Sequence, residues 1–213
     1  MMNCIDLIHE QAVALKATIE SHPGCQAIPT EDFGWQNWRY VSRDFRLAHV
    51  EFFQQENFAV VHVCVFPHKH DPQPIFGFDV IAGVNKFTGV FLDLSPTQEP
   101  TAPFLNIDVQ RERQRPEWGD IFSEHWLAAR PSFAEQQAIG LEAQRVLGEY
   151  LGGLNKRQGK ELEIIQAQDH YCLQQQKNPH TRRALENLIG KEKTEHFMSH
   201  ILFPIVSVTD HML

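Results

Sequence analysis

From about Asn3 to Ser21, apolar residues recur at three- and four-residue steps through Ile5, Leu7, Ile8, Val13, Leu15 and Ile19. That period predicts an amphipathic helix, which Ser21-His22-Pro23-Gly24 ends. A tryptophan-rich loop follows, through Trp35 and Trp38. The period then changes to two. Residues 45–53 (FRLAHVEFF) and 58–66 (FAVVHVCVF) read as strands joined by the polar turn Gln54-Gln55-Glu56-Asn57. Residues 75–82 (IFGFDVIA) and 87–94 (FTGVFLDL) read as a second hairpin around Gly83-Val84-Asn85-Lys86. Residues 121–129 (IFSEHWLAA) read as a further strand closed by Arg130-Pro131. After Pro131 the pattern is helical. Ser132 and Glu135 have the spacing of a capping box, and further helices are expected over 161–177, 180–190 and 192–203. Helices at both ends and hairpins between them imply a central antiparallel sheet with helices packed on its faces. The chain has no internal repeat or linker, so residues 1–213 are read as one domain.

Composition adds exclusions. A net charge of −8 argues against a general nucleic-acid binder, which needs a basic face. Cys4, Cys25, Cys64 and Cys172 lie far apart with no CxxC or metal-ligand spacing, so they read as reduced thiols in a cytoplasmic protein. The N-terminus has no apolar signal region, and no apolar run has membrane-spanning length. No GxSxG, P-loop or GxGxxG pattern points to a bound nucleotide or flavin. Fifteen Phe against three Tyr mean an aromatic core poor in hydroxyls.

Against that apolar background a few polar residues stand out. His49 and Glu51 share one face of the first strand, and His62 and Cys64 share one face of the second. A four-residue turn pairing Phe53 with Phe58 would set His49 opposite His62 and Glu51 opposite Val60, with Glu51 diagonal to His62. Such a face could point to water. The strands, however, look apolar on both sides, and a buried carboxylate must be paired, hydrogen-bonded or protonated.

Asp79 is the sharper case, set among Ile75, Phe76, Gly77, Phe78, Val80 and Ile81. There the ionised form would be disfavoured, so Asp79 could hold a proton and donate it in catalysis. The alternative is a structural aspartate satisfied by backbone amides. Gly77 leaves room for something flat to approach the backbone. His68 and His70 are close in sequence but lack any tight ligand spacing, so no metal site is expected.

The sequence also resembles a known family. VVHVCVFP at 60–67, PIFGFDVIAG at 74–83, LDLSPTQ at 92–98, PEWGDIFSEHWLAARPS at 116–132, QDHYCLQQQKNPHTRRALE at 168–186 and FMSHILFPIV at 197–206 resemble the ferredoxin-dependent bilin reductases. The resemblance runs over most of the chain from the second strand onward. It implies a three-layer α/β/α sandwich, with biliverdin IXα held between the sheet and the C-terminal helices. It implies reduction to phycocyanobilin through bilin radicals, with electrons from reduced ferredoxin and protons from side chains. Another product of the family, an 18-vinyl-reduced dihydrobiliverdin or phycoerythrobilin, is the near alternative. A bilin- or haem-binding protein without catalysis is the distant one.

By the same motifs, Asp79 corresponds to the family's proton-donating aspartate, His62 to its catalytic histidine, and Glu51 to a glutamate associated with the D-ring vinyl group. His49 and Asn178 match residues of the bilin pocket. Phe76 and Gly77 are expected beside the rings, and Arg130 near a propionate. No bound cofactor is implied. Ferredoxins are acidic, so a transient contact with a monomer of this chain is expected at a basic patch of Lys177, Arg182 and Arg183, with Lys191 and Lys193 nearby.

Overall fold

The computed structural model describes residues 2–98, 114, 119–124 and 126–209. Helix α1 (Cys4–Glu20) begins at a reciprocal cap. The Asn3 side chain accepts from the Ile5 and Asp6 amides, and the Asp6 carboxylate accepts from the Asn3 amide. Its buried stripe runs through Ile5, Ile8, Ala12, Leu15 and Ile19. Val13, which the periodicity placed in that stripe, is 47% exposed.

Among the described residues seven strands form one sheet in chain order, each antiparallel to the next. They are β1 (Gln26–Ile28), β2 (Gln36–Val41), β3 (Phe45–Gln54), β4 (Phe58–Pro67), β5 (Ile75–Gly83), β6 (Phe87–Ser95) and β7 (Leu127–Ala129). Helix α2 (Phe133–Gly153) follows, then α3 (Glu161–Gln176), α4 (Pro179–Ile189) and α5 (Lys191–His196). Helix α5 runs into a π-helical turn at Phe197–Leu202, and a short α6 (Val206–Thr209) comes last.

Helices α1 and α2 pack on one sheet face. That face is wholly apolar at its centre, with Val50, Val61, Val63, Phe76, Phe78, Val80, Val90 and Leu92 buried. Burying a side chain of this size contributes roughly 1.5–3 kcal/mol, so this layer supplies much of the driving force. The opposite face lies under the C-terminal helices, where Leu47, Cys64, Phe66 and Ile75 meet Tyr171, Cys172, Phe197, Met198 and Phe203. The result is the three-layer α/β/α sandwich.

A bulge at Arg46 shifts the β3–β4 register and leaves that residue unpaired in the ladder. Its guanidinium lies buried over the Phe66 ring at 4.6 Å and donates to Gln168 Oε1 and Thr209 Oγ1 at 2.8 and 2.7 Å. Arg46 thereby ties the sheet to α3 and α6.

Three expectations are corrected. The tryptophan-rich loop contains β1 and β2, which pair antiparallel with each other and, through β2, with β3. The strand expected over 121–129 is extended only from Leu127 to Ala129, after a tight turn at Gly119–Ile121. The cause is a side-chain competitor: Asp93 of β6 accepts from the Ser123 amide at 3.2 Å and from its hydroxyl at 2.5 Å. Those bonds occupy the backbone that a ladder would need. Residues 116–118 and His125 of that motif lie outside the described residues. The last helix expected, over 192–203, is α5 followed by the π-helical turn.

The expected capping box at α2 is present. Ser132 Oγ accepts from the Glu135 amide at 3.3 Å, and Glu135 Oε2 accepts from the Ser132 amide at 2.7 Å. Ser132→Ala removes one half of it and should lower stability by about 1 kcal/mol, read as a lower urea midpoint at unchanged slope.

Candidate active site

Strand alternation gathers the polar residues on the face under the C-terminal helices. In the observed register Glu51 of β3 lies directly opposite His62 of β4, and His62 directly opposite Asp79 of β5. Asn37 extends this row across β2, and Phe91 across β6. A second row, Arg39, His49, Cys64, Gly77 and Asp93, runs beside it.

This corrects the expected pairing of His49 with His62. The hairpin closes through Gln54 opposite Ala59, with the Gln55 amide donating to the Phe58 carbonyl at 2.8 Å. The partners move by two residues, which leaves every side chain on its expected face. His49 and His62 remain neighbours, with ring centroids 5.0 Å apart.

The three acid–base groups sit in different surroundings. His62 Nδ1 and Asp79 Oδ1 are 2.5 Å apart, close enough to share one proton. With Asp79 ionised the imidazole N–H donates; with Asp79 protonated the carboxyl donates. The Asp79 side chain is 40% exposed and that of His62 12%. The expected desolvated aspartate is therefore corrected: β5 alternates between buried and half-buried positions, and Gly77, Asp79 and Ile81 face an incompletely covered surface.

The desolvated carboxylate is Glu51. Burial drives its pKa up to about 8, against a hydrogen bond from Trp35 and the charge of Arg39, which both lower it. That shift favours the protonated carboxyl, with Trp35 Nε1 donating to Oε2 at 2.9 Å. Its Oε1 is buried without a hydrogen-bond partner among the described residues.

His49 is wholly buried, and its Nε2–H donates to the Leu202 carbonyl at 2.9 Å. A carbonyl only accepts, so the tautomer is fixed and Nδ1 carries the lone pair. Burial first, then His62 and Arg39, push its pKa well below the usual imidazole value, so it is neutral.

The roof over these rows comes from the C-terminal segment. Phe203 meets the His62 ring edge-to-face at 5.5 Å, and Tyr171 packs against Phe203 and Phe66. A side-chain carbon added at Gly77 would lie 3.7 Å from the Tyr171 hydroxyl. Beyond Asp79, Phe91, Trp126 and Phe122 stack in series. An acid–base row bordered by aromatic rings suits a flat conjugated ligand that must take up protons.

Phe76 does not belong to this site. It is one residue out of phase with Gly77 and Asp79, wholly buried on the opposite face against Tyr150. Asn178 caps α4, its Oδ1 accepting from the His180 and Thr181 amides. Arg130 is exposed immediately after β7. Lys177 and Arg183 are exposed on the helical layer, while Arg182 is ion-paired with Glu195 at 2.6 Å and donates to the Gln176 carbonyl. Trp35, Arg39 and Tyr171 enter the site's surroundings without having been singled out in the sequence. Among the described residues no group of three or more His, Cys, Asp or Glu side chains is placed to hold a metal ion, and no helix is long and apolar enough to cross a membrane.

The family model for ferredoxin-dependent bilin reductase matches residues 16–204. Phycocyanobilin:ferredoxin oxidoreductase of Trichodesmium erythraeum (strain IMS101) is 31% identical over 188 residues, spanning 79% of this chain and 75% of that protein. The enzyme of the same name from Synechococcus sp. (strain ATCC 27144 / PCC 6301 / SAUG 1402/1) is 31% identical over 191 residues, spanning 81% and 76%. Two solved structures share the fold. PcyX superimposes with a TM-score of 0.69 at 24% identity over 93% of this chain and 99% of that one. Phytochromobilin synthase from tomato, in complex with biliverdin, gives 0.72 at 16% identity over 94% and 83%.

Proposed function

Since this chain belongs to the ferredoxin-dependent bilin reductase family, we propose that it reduces biliverdin IXα to phycocyanobilin with electrons from reduced ferredoxin. The observation that carries this reading is the row Glu51, His62 and Asp79 across three adjacent strands. Each reduced double bond takes up two electrons and two protons. Ferredoxin supplies the electrons singly, so the bilin passes through radical states that grow more basic as they are reduced. Asp79, half-open on the face where the rings would lie, delivers the first proton. His62 is its partner in holding that proton and resupplying it. Glu51, neutral in its dry surroundings, serves the D-ring vinyl group.

The propionates are the polar end of the ligand, and Arg130, exposed after β7, is the cation assigned to one of them. His49 and Asn178 frame the pocket, and Gly77 keeps the sheet low beneath the rings. The docking surface for ferredoxin is the basic helical patch of Lys177, Arg182 and Arg183, and the chain acts as a monomer. Retention of Glu51 favours D-ring chemistry over the other reductions of the family. Anaerobic turnover of biliverdin IXα with reduced ferredoxin, followed by chromatography of the extracted bilins, should yield phycocyanobilin. Phycoerythrobilin as the sole product would contradict that assignment.

A further inference from the structure

Burial keeps Glu51 protonated, and two side chains that precede it in the chain act against that effect. Trp35 stands immediately before β2, and its indole is held edge-to-face by Phe53 at 5.6 Å and by Phe197 at 5.2 Å, with Phe33 stacked at 5.5 Å. An indole N–H can donate and never accept. With the ring fixed on three sides, Glu51 Oε2 is an acceptor whether the carboxyl is neutral or ionised. A carbonyl-type oxygen is the stronger acceptor, so this bond favours the acid proton on Oε1, the oxygen with no partner among the described residues.

Arg39 lies on β2 opposite His49, 7% exposed. One Nη2–H donates to the His200 carbonyl at 3.3 Å, and Nε is buried without a partner among the described residues. A buried guanidinium on the same sheet face, one row along from the carboxyl, favours the ionised form.

We infer that Trp35 and Arg39 are positioning residues for Glu51: Trp35 directs its proton towards Oε1, and Arg39 stabilises the carboxylate left when that proton departs. This rests on the reading of Glu51 as a proton donor. The step is a proton transfer: the O–H bond at Oε1 breaks, a C–H bond forms on the reduced bilin, and the electrons come from ferredoxin. Recharging reverses the first half, taking a proton from solvent while the Trp35 bond holds.

Other titratable groups around Glu51 are limited. His62 faces it from β4, and His49 lies two residues along β3. On the covering segment His196 and His200 are both exposed, and His196 is paired with Glu31 at 2.7 Å.

The test is the pH profile of D-ring reduction in the full chain with biliverdin IXα and reduced ferredoxin. Activity should fall as pH rises through the Glu51 pKa of about 8, because the donor loses its proton. Trp35→Phe keeps a ring but removes the donor, and Arg39→Met keeps bulk but removes the charge. Each should move the alkaline limb upward by about one pH unit. A limb at the wild-type position in either variant overturns that residue's assignment. Glu51→Gln should show no D-ring reduction at any pH; D-ring reduction at the wild-type rate in that variant overturns the reading of Glu51 itself. A measurement on the unmutated chain stands beside these. With nitrogen-labelled tryptophan, the Trp35 indole N–H resonance should shift with the same midpoint as the limb, and a resonance that does not titrate overturns the Trp35 assignment.

Discussion

Asp79→Asn should bind biliverdin as the wild type does and lose about 100-fold or more of its turnover, the usual range for removal of a positioned acid. An asparagine nearly matches the shape of aspartate, and its carbonyl can still accept from His62 Nδ1–H, 2.5 Å away in the native pair. The fold should barely notice, since the side chain is 40% exposed. What disappears is an acidic proton. A one-electron-reduced bilin that meets no acid should accumulate as a radical, visible by electron paramagnetic resonance after a single reducing equivalent. Wild-type rates in this variant would remove Asp79 from the mechanism.

Glu51→Gln should have two opposite effects. Catalytically, the D-ring vinyl group should remain unreduced, because an amide cannot supply the proton that Oε1 carries. Thermodynamically, the variant should be more stable than the wild type at neutral pH. The sign follows from linkage. Glu51 has its pKa raised from 4.5 to about 8 by burial, so between those values the folded chain holds a proton that the unfolded chain has released. Stability therefore falls as pH rises across that window, by a total of order a few kcal/mol, and is level above it. Glutamine has no such dependence. The stability difference between the two proteins, measured by urea unfolding, should widen from pH 5 to about pH 8. An acid kept dry at the expense of stability is the pattern expected of a functional group.

What could be read in advance follows the range of each interaction. The α2 cap was legible because Ser132 and Glu135 act within one turn. The hairpins of β3–β4 and β5–β6 were legible because alternation is local, and so was the face that Glu51 and His62 share; that Asp79 joins them depends on the β4–β5 register. Their exact opposition was not, because it depends on where the turn closes. Strand β2 was missed because Gln36, Asn37 and Arg39 break the apolar pattern, and its pairing with β3 is what makes it a strand. With the strand went any sign that Trp35 and Arg39 belong to the site's surroundings.

Phe76 was wrongly placed beside the ligand, although parity alone separates it from Asp79. The exposure of Asp79 depends on how far the C-terminal helices reach across the sheet, which no strand pattern records. The strand expected at 121–129 fails because a distant side chain, Asp93, holds Ser123.

The proposed function requires that this chain bind a bilin and reduce it with protons from its own acid–base row. The most direct test is the anaerobic absorption spectrum of the full chain mixed with biliverdin IXα, then followed as reduced ferredoxin is added. A shift on binding, then a transient radical spectrum, then the bands of a reduced bilin are the expected sequence. A biliverdin spectrum unchanged by the protein, or a bound spectrum unchanged by reduced ferredoxin, would contradict it.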